Sequence, residues 1–74
     1  MRVELVTRNG CHLCEEALAT LREIGVEPVL RNVDQDDELF KLYDWRVPVI
    51  LADGLVVAEG KIRPDQLRRR LSPR

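Results

Sequence analysis

The stretch Thr7-Arg8-Asn9-Gly10-Cys11-His12-Leu13-Cys14-Glu15-Glu16-Ala17 follows the strand-like run Val3-Glu4-Leu5-Val6-Thr7 and opens a segment of helical periodicity. A strand, a short polar turn and then C-x-x-C at a helix start is the arrangement that dithiol redox chemistry requires. Cys11 and Cys14 are the only cysteines of the chain. With Asn9 or Gly10 as the helix cap, Cys11 falls in the first turn, where unpaired N–H groups and the positive dipole end favour a thiolate. The thiolate is the form that attacks a disulfide. Cys14 stands one turn further along the same face, placed to attack a mixed disulfide on Cys11 and release the reduced substrate. The expected nucleophile is therefore Cys11, and the resolving thiol is Cys14.

The chain has 74 residues, enough for one domain (1–74) with a modest core. Hydrophobic residues make up 45% and charged residues 34%, the balance of a small globule rather than a disordered or fibrous chain. A net charge of −1 gives no reason to expect nucleic acid or an anionic membrane as partner. No apolar run approaches the ~20 residues needed to span a bilayer. Met1-Arg2-Val3-Glu4 carries an acidic group early and enters a strand directly, unlike a secretory signal. The expectation is a cytoplasmic monomer, in a compartment where a cysteine pair is catalytic rather than a structural staple.

Arg2 to Thr7 alternates and then turns apolar, which predicts a first strand buried on at least one face. From Cys11 to Ile24 the positions Leu13, Ala17, Leu18, Leu21 and Ile24 recur at helical spacing, and Gly25 suits a left-handed cap. Pro28 is tolerable at a strand start or edge, so Val29 to Val33 reads as the second strand. The acidic run Asp34 to Glu38 predicts the N-cap and first turn of a second short helix through Leu39-Phe40-Lys41-Leu42-Tyr43. Val47-Pro48-Val49-Ile50-Leu51 reads as a buried strand, and Asp53-Gly54 as a two-residue hairpin into Leu55 to Glu59. Gly60 breaks that pattern, and Pro64 starts a last helix. The predicted order is β-α-β-α-β-β-α, an α/β chain whose first two strands are parallel, joined by a right-handed crossover, and whose last two form a hairpin.

That order, with C-x-x-C after the first strand and Val47-Pro48 before the third, resembles the glutaredoxin group of the thioredoxin fold. The likeness is to short bacterial glutaredoxin-like proteins, which carry a T-R-x-G-C-H-L-C-x-x-A stretch, and it covers essentially the whole chain. It implies a thioredoxin-like fold with a four-stranded mixed sheet and three helices. It also implies a cis peptide bond at Val47-Pro48, which would expose the Val47 backbone to a peptide or glutathione pairing with it like an added strand. The chain departs from glutaredoxins in three places. They usually carry C-P-Y-C or C-x-x-S, where this chain has Cys11-His12-Leu13-Cys14. They usually place threonine before Val-Pro, where Arg46 stands here. Their glutathione-binding Gly-Gly-x-Asp is reduced to Gly60-Lys61-Ile62-Arg63-Pro64-Asp65. Glutathione and a thioredoxin-reductase-like flavoprotein are both compatible as reductants, and a disulfide-bearing protein or glutathione as substrate.

Around the dithiol, His12 either favours the Cys11 thiolate through its imidazolium or is a plain exposed first-turn residue. Arg8 either meets the thiolate or a glutathione carboxylate, or is a solvated strand-end charge. Tyr43 and Trp45 either form part of the groove wall beside Pro48 or are core or partly buried residues, and burial is the expectation for both. Arg68, Arg69 and Arg70 read as a solvated basic face.

The candidate site thus comprises Cys11 and Cys14 for catalysis and Arg8, His12, Val47, Pro48 and Gly60 for substrate. It has no metal, since a structural zinc site wants four ligands and no second cysteine pair exists. No bound cofactor is needed when the chemistry lies in two sulfurs. Two other readings stand beside this one. The chain could be a redox-passive thioredoxin-fold binding module, or a metal or iron–sulfur carrier through Cys11 at a dimer interface.

Overall fold

The computed structural model describes residues 1–71; positions 72–74 of the expected domain lie outside the described residues. Among these, four strands and three α-helices follow in the order β1 (Val3–Thr7), α1 (His12–Glu23), β2 (Val29–Asn32), α2 (Asp37–Tyr43), β3 (Val49–Ala52), β4 (Leu55–Glu59) and α3 (Pro64–Leu71). The sheet order is β2-β1-β3-β4. β1 pairs parallel with β2, and β3 runs antiparallel to both β1 and β4. This is the mixed sheet expected from the sequence.

The run Val3-Glu4-Leu5-Val6-Thr7 becomes the inner strand because its alternation feeds two cores. Leu5 joins Ala17, Leu21, Ile50, Ala58, Leu67 and Leu71 beneath α1 and α3. Val6 joins Val33, Tyr43, Val49 and Leu51 beneath α2. Glu4, on the Val6 face, is buried but answered by Arg31 at 2.8 Å, as a buried charge must be.

Gly25 (φ +87) ends α1 in a Schellman cap, its N–H donating to Arg22 O at 3.0 Å and that of Val26 to Leu21 O at 2.9 Å. Asp53 and Gly54, both at positive φ, form the two-residue hairpin turn. Asp36 caps α2 by accepting from the N–H groups of Glu38 and Leu39, so the acidic run acts as the sequence predicts.

Three expectations need correction. The second strand stops at Asn32 because its Oδ1 accepts the Asp34 N–H at 2.8 Å, bending Val33–Gln35 into a short 3-10 turn. Leu13 is exposed and Cys14 takes its place on the core face of α1, whereas Ala17 and Leu21 are buried and Leu18 and Ile24 pack against that core as expected. Trp45 is 95% exposed, although Tyr43 is buried as expected. Tyr43 closes the α2 core, and the turn made by the Arg46 N–H on Tyr43 O (2.9 Å) carries Trp45 outward.

Leu21→Ala, emptying the centre of the α1–α3 core, is expected to cost about 2–5 kcal/mol. Trp45→Ala, which vacates only solvent, is expected to stay within about 0.5 kcal/mol. Urea midpoints of the two variants measured against the parent check the contrast.

Candidate functional site

The C-terminal end of β1 delivers the turn that holds the cysteines. Gly10 adopts φ +75, and the Cys11 N–H donates to Arg8 O at 3.3 Å. Cys11 itself, extended at φ −91 and ψ 107, caps α1, and its Sγ accepts the N–H of Cys14 at 3.1 Å. The sequence placed the cap at Asn9 or Gly10 and Cys11 inside the helix. The tight turn through Gly10 moves the cap one step on, so sulfur takes the place that a serine or asparagine oxygen fills in most helices. The Sγ thus lies at the positive end of the helix with an N–H aimed at it, an arrangement that favours negative charge on the sulfur.

Cys11 and Cys14 are joined as a disulfide, with Cα atoms 5.2 Å apart. They differ in access. Cys14 is only 2% exposed, whereas Cys11 is half-buried at the mouth of the turn.

Val6 lies opposite Val49 in the β1–β3 ladder. The chain leaving β1 for Cys11 and the chain entering β3 from Pro48 therefore meet at the same end of the sheet. The Val47-Pro48 bond is cis, as the family likeness implied, and Pro48 is fully buried. Its carbonyl accepts the N–H of Gly60 at 2.9 Å. Gly60 is thus brought to the site, with its amide committed to Pro48. Among the described residues, the backbone of half-buried Val47 finds no hydrogen-bond partner.

The polar residues around the dithiol are held by one another. The Nε2 of His12 sits 2.9 Å from Glu16 Oε2, and its side chain is 83% exposed. The Arg8 guanidinium grips both oxygens of Asp34 (2.9 and 2.7 Å) and binds Oδ1 and the carbonyl of Asp44 (2.5 and 3.2 Å). Arg46, two residues before Pro48, forms a bidentate pair with Glu59 (3.0 and 2.7 Å) and lies over the Tyr43 ring. The hydrogen bond from Arg8 holds the Asp34 carboxyl below its ordinary range, and that from Arg46 does the same for Glu59. Sequence reasoning found both arginines but not their carboxylates, which lie 13, 26 and 36 positions away and are announced by no local pattern. Among the described residues, no group of three or more His, Cys, Asp and Glu side chains is arranged to hold a metal ion.

Residues 2–72 match the Glutaredoxin-like domain (DUF836) family. The chain belongs to that family. Its fold is shared with solved structures. The target protein XcR50 from X. campestris is 28% identical, with 93% of each chain covered and a TM-score of 0.83. The thioredoxin-like protein BC3987 is 27% identical, with 95% of this chain and 100% of that one covered and a TM-score of 0.74. No curated protein matches the chain. A glutaredoxin-like domain with a cysteine pair at disulfide distance supports a redox-type function. No helix among the described residues is long and apolar enough to cross a membrane.

With Glu27, lowered by Arg22, and Asp36, lowered first by the Leu39 N–H, the carboxyls of Asp34 and Glu59 set an acid limit on the molecule. Groups depressed in the folded state contribute stability that is full above their ordinary values, 3.8 for Asp34 and 4.5 for Glu59, and lost as pH falls through the folded ones. The urea midpoint is expected to stay level from pH 7 to about 5 and to fall below about pH 4. A midpoint level down to pH 2 would contradict that assignment.

Proposed function

We propose that this glutaredoxin-like chain is a cytoplasmic, monomeric thiol–disulfide oxidoreductase that reduces disulfides of proteins or mixed disulfides of glutathione. The observation that carries the reading is the asymmetry of the pair. The accessible sulfur of Cys11 caps a helix and accepts a backbone N–H, whereas Cys14 is sealed in the core face of α1.

The reaction balances on the two sulfurs. The Cys11 thiolate attacks one sulfur of the substrate disulfide, forming a mixed disulfide, and the other substrate sulfur leaves as a thiolate that takes up a proton. Cys14 loses its proton and attacks Cys11 Sγ, forming the Cys11–Cys14 disulfide and releasing the second substrate thiol. Two electrons have passed to the substrate. Two thiols of glutathione, or a thioredoxin-reductase-like flavoprotein, return them. The N–H of Cys14 that reaches Cys11 Sγ in the disulfide form is placed to receive the thiolate again when the pair is reduced.

Val47 and Pro48 shape the docking edge. With the Val47 backbone unpaired among the described residues, an extended substrate segment gains main-chain hydrogen bonds by lying against it. Gly60 supports that edge through Pro48, and exposed His12, next in sequence to Cys11, is open to an incoming substrate.

Equilibration in defined glutathione buffers, followed by mass after thiol alkylation, tests the proposal. A reversible two-electron transition is expected between about −120 and −270 mV, the span of C-x-x-C oxidoreductases. Cys11→Ser is expected to abolish turnover and Cys14→Ser to accumulate mixed disulfides. Equal activity of the two variants would overturn the roles, and unreactive thiols across the whole range would leave a redox-passive binding module.

A further inference from the structure

Arg8 is three residues from the nucleophile, yet its guanidinium is bound to two carboxylates rather than left open to a substrate. Its backbone and side chain serve different parts of the site. The carbonyl accepts the Cys11 N–H and closes the turn that places the sulfur at the helix end. The guanidinium binds Asp44, which ends α2 by donating its N–H to Phe40 O at 3.1 Å. Only Trp45 and Arg46 separate Asp44 from Val47. The second arm grips Asp34 in the 3-10 turn, and the Phe40 ring lies 5.9 Å from the guanidinium carbon. Planar, five-donor geometry lets one arginine hold both acids at once, which a point-charge lysine does not reproduce.

The other end of the Asp44–Pro48 segment is tied to β4 and the residue after it, through Arg46 on Glu59 and through Pro48 O on the Gly60 N–H. The segment therefore spans two clamps, one reaching β4 and one reaching the cysteine turn.

We infer that Arg8 is a positioning residue that fixes the Val47-Pro48 docking edge relative to the Cys11 sulfur, by holding the dithiol turn with its carbonyl and the Asp44 end of the edge with its guanidinium. This rests on the oxidoreductase reading above. Disulfide exchange demands that the attacked sulfur lie in line with Cys11, and misplacement by about 1 Å can cost a reaction on the order of a hundredfold. Arg8 acts on where the substrate lies, not on the sulfur itself.

Arg8→Met keeps the apolar stem and removes every guanidinium bond, and Asp44→Asn removes one charged partner in case the first variant folds poorly. Arg22→Met, which breaks the equally bidentate pair between Arg22 in the last turn of α1 and Glu27 beyond it, is the control. Each full chain is assayed with a disulfide-linked peptide, by iodoacetamide alkylation of Cys11, and by hydrogen exchange at the Gly60 amide. For Arg8→Met, kcat/KM is expected to fall about tenfold through a raised KM, with a smaller change in the same sense for Asp44→Asn. Gly60 exchange quickens in both, and alkylation of Cys11 and all properties of Arg22→Met stay as in the parent. Unchanged KM and Gly60 exchange in both site variants would overturn the inference. So would a parallel loss of Cys11 alkylation, which would put Arg8 to work on the sulfur. Should the parent itself neither alkylate nor turn over, the oxidoreductase reading fails by itself. Gly60 exchange in Arg8→Met then still shows whether Arg8 holds the edge.

Discussion

β1 is hydrogen-bonded on both edges and buried on both faces, and the chemistry of this molecule hangs from where that strand stops. Its parallel partner β2 and antiparallel partner β3 fix its direction. Leu5 and Val6 lock it to the α1–α3 core on one side and the α2 core on the other. A strand so constrained cannot slip by one residue without turning both cores inside out. The turn at Arg8–Cys11 therefore leaves the sheet at one place and in one direction. The helix cap on the sulfur and the meeting with Pro48 both follow from that exit.

Much of this was legible in the chain. The first strand ending at Thr7, the Asp53-Gly54 hairpin, the Gly25 cap and the acid-capped α2 are local patterns with local causes, and each appears where the sequence puts it. The cis bond at Val47-Pro48 was legible only through family likeness, since nothing in those two side chains dictates it. What escaped was decided by neighbours far along the chain or by a choice among near-equal local options. Asn9, Gly10 and Cys11 could each end the turn, and the hydrogen bond from Cys11 to Arg8 O selects the third. Leu13 and Cys14 are both apolar and adjacent, and the direction in which α1 leaves β1 determines that the cysteine, not the leucine, enters the core. Trp45 is large and apolar, which argues for burial by composition, but the turn after Tyr43 points it outward.

The arginines show a related division of labour. Arg8 and Arg46 both flank the dithiol end of the sheet, and both are matched by carboxylates brought from distant segments. The Arg8–Asp34 and Arg46–Glu59 pairs are open to water, and such pairs contribute little to stability one by one. Their value here is geometric. Each restrains a loop that carries no regular backbone ladder of its own, and together they bracket the few residues that lead into β3.

Trp45 is the only tryptophan of the chain, and it projects into water from the bracketed segment. An indole already solvated in the native state changes its surroundings little when the chain unfolds, so its fluorescence is a poor gauge of folding. The same exposure makes it a sensitive one for contact. Any molecule that settles over the Asp44–Pro48 segment dries the ring and shifts its emission to the blue. The protein thus carries its own optical reporter, silent to denaturation and tuned to whatever touches that loop.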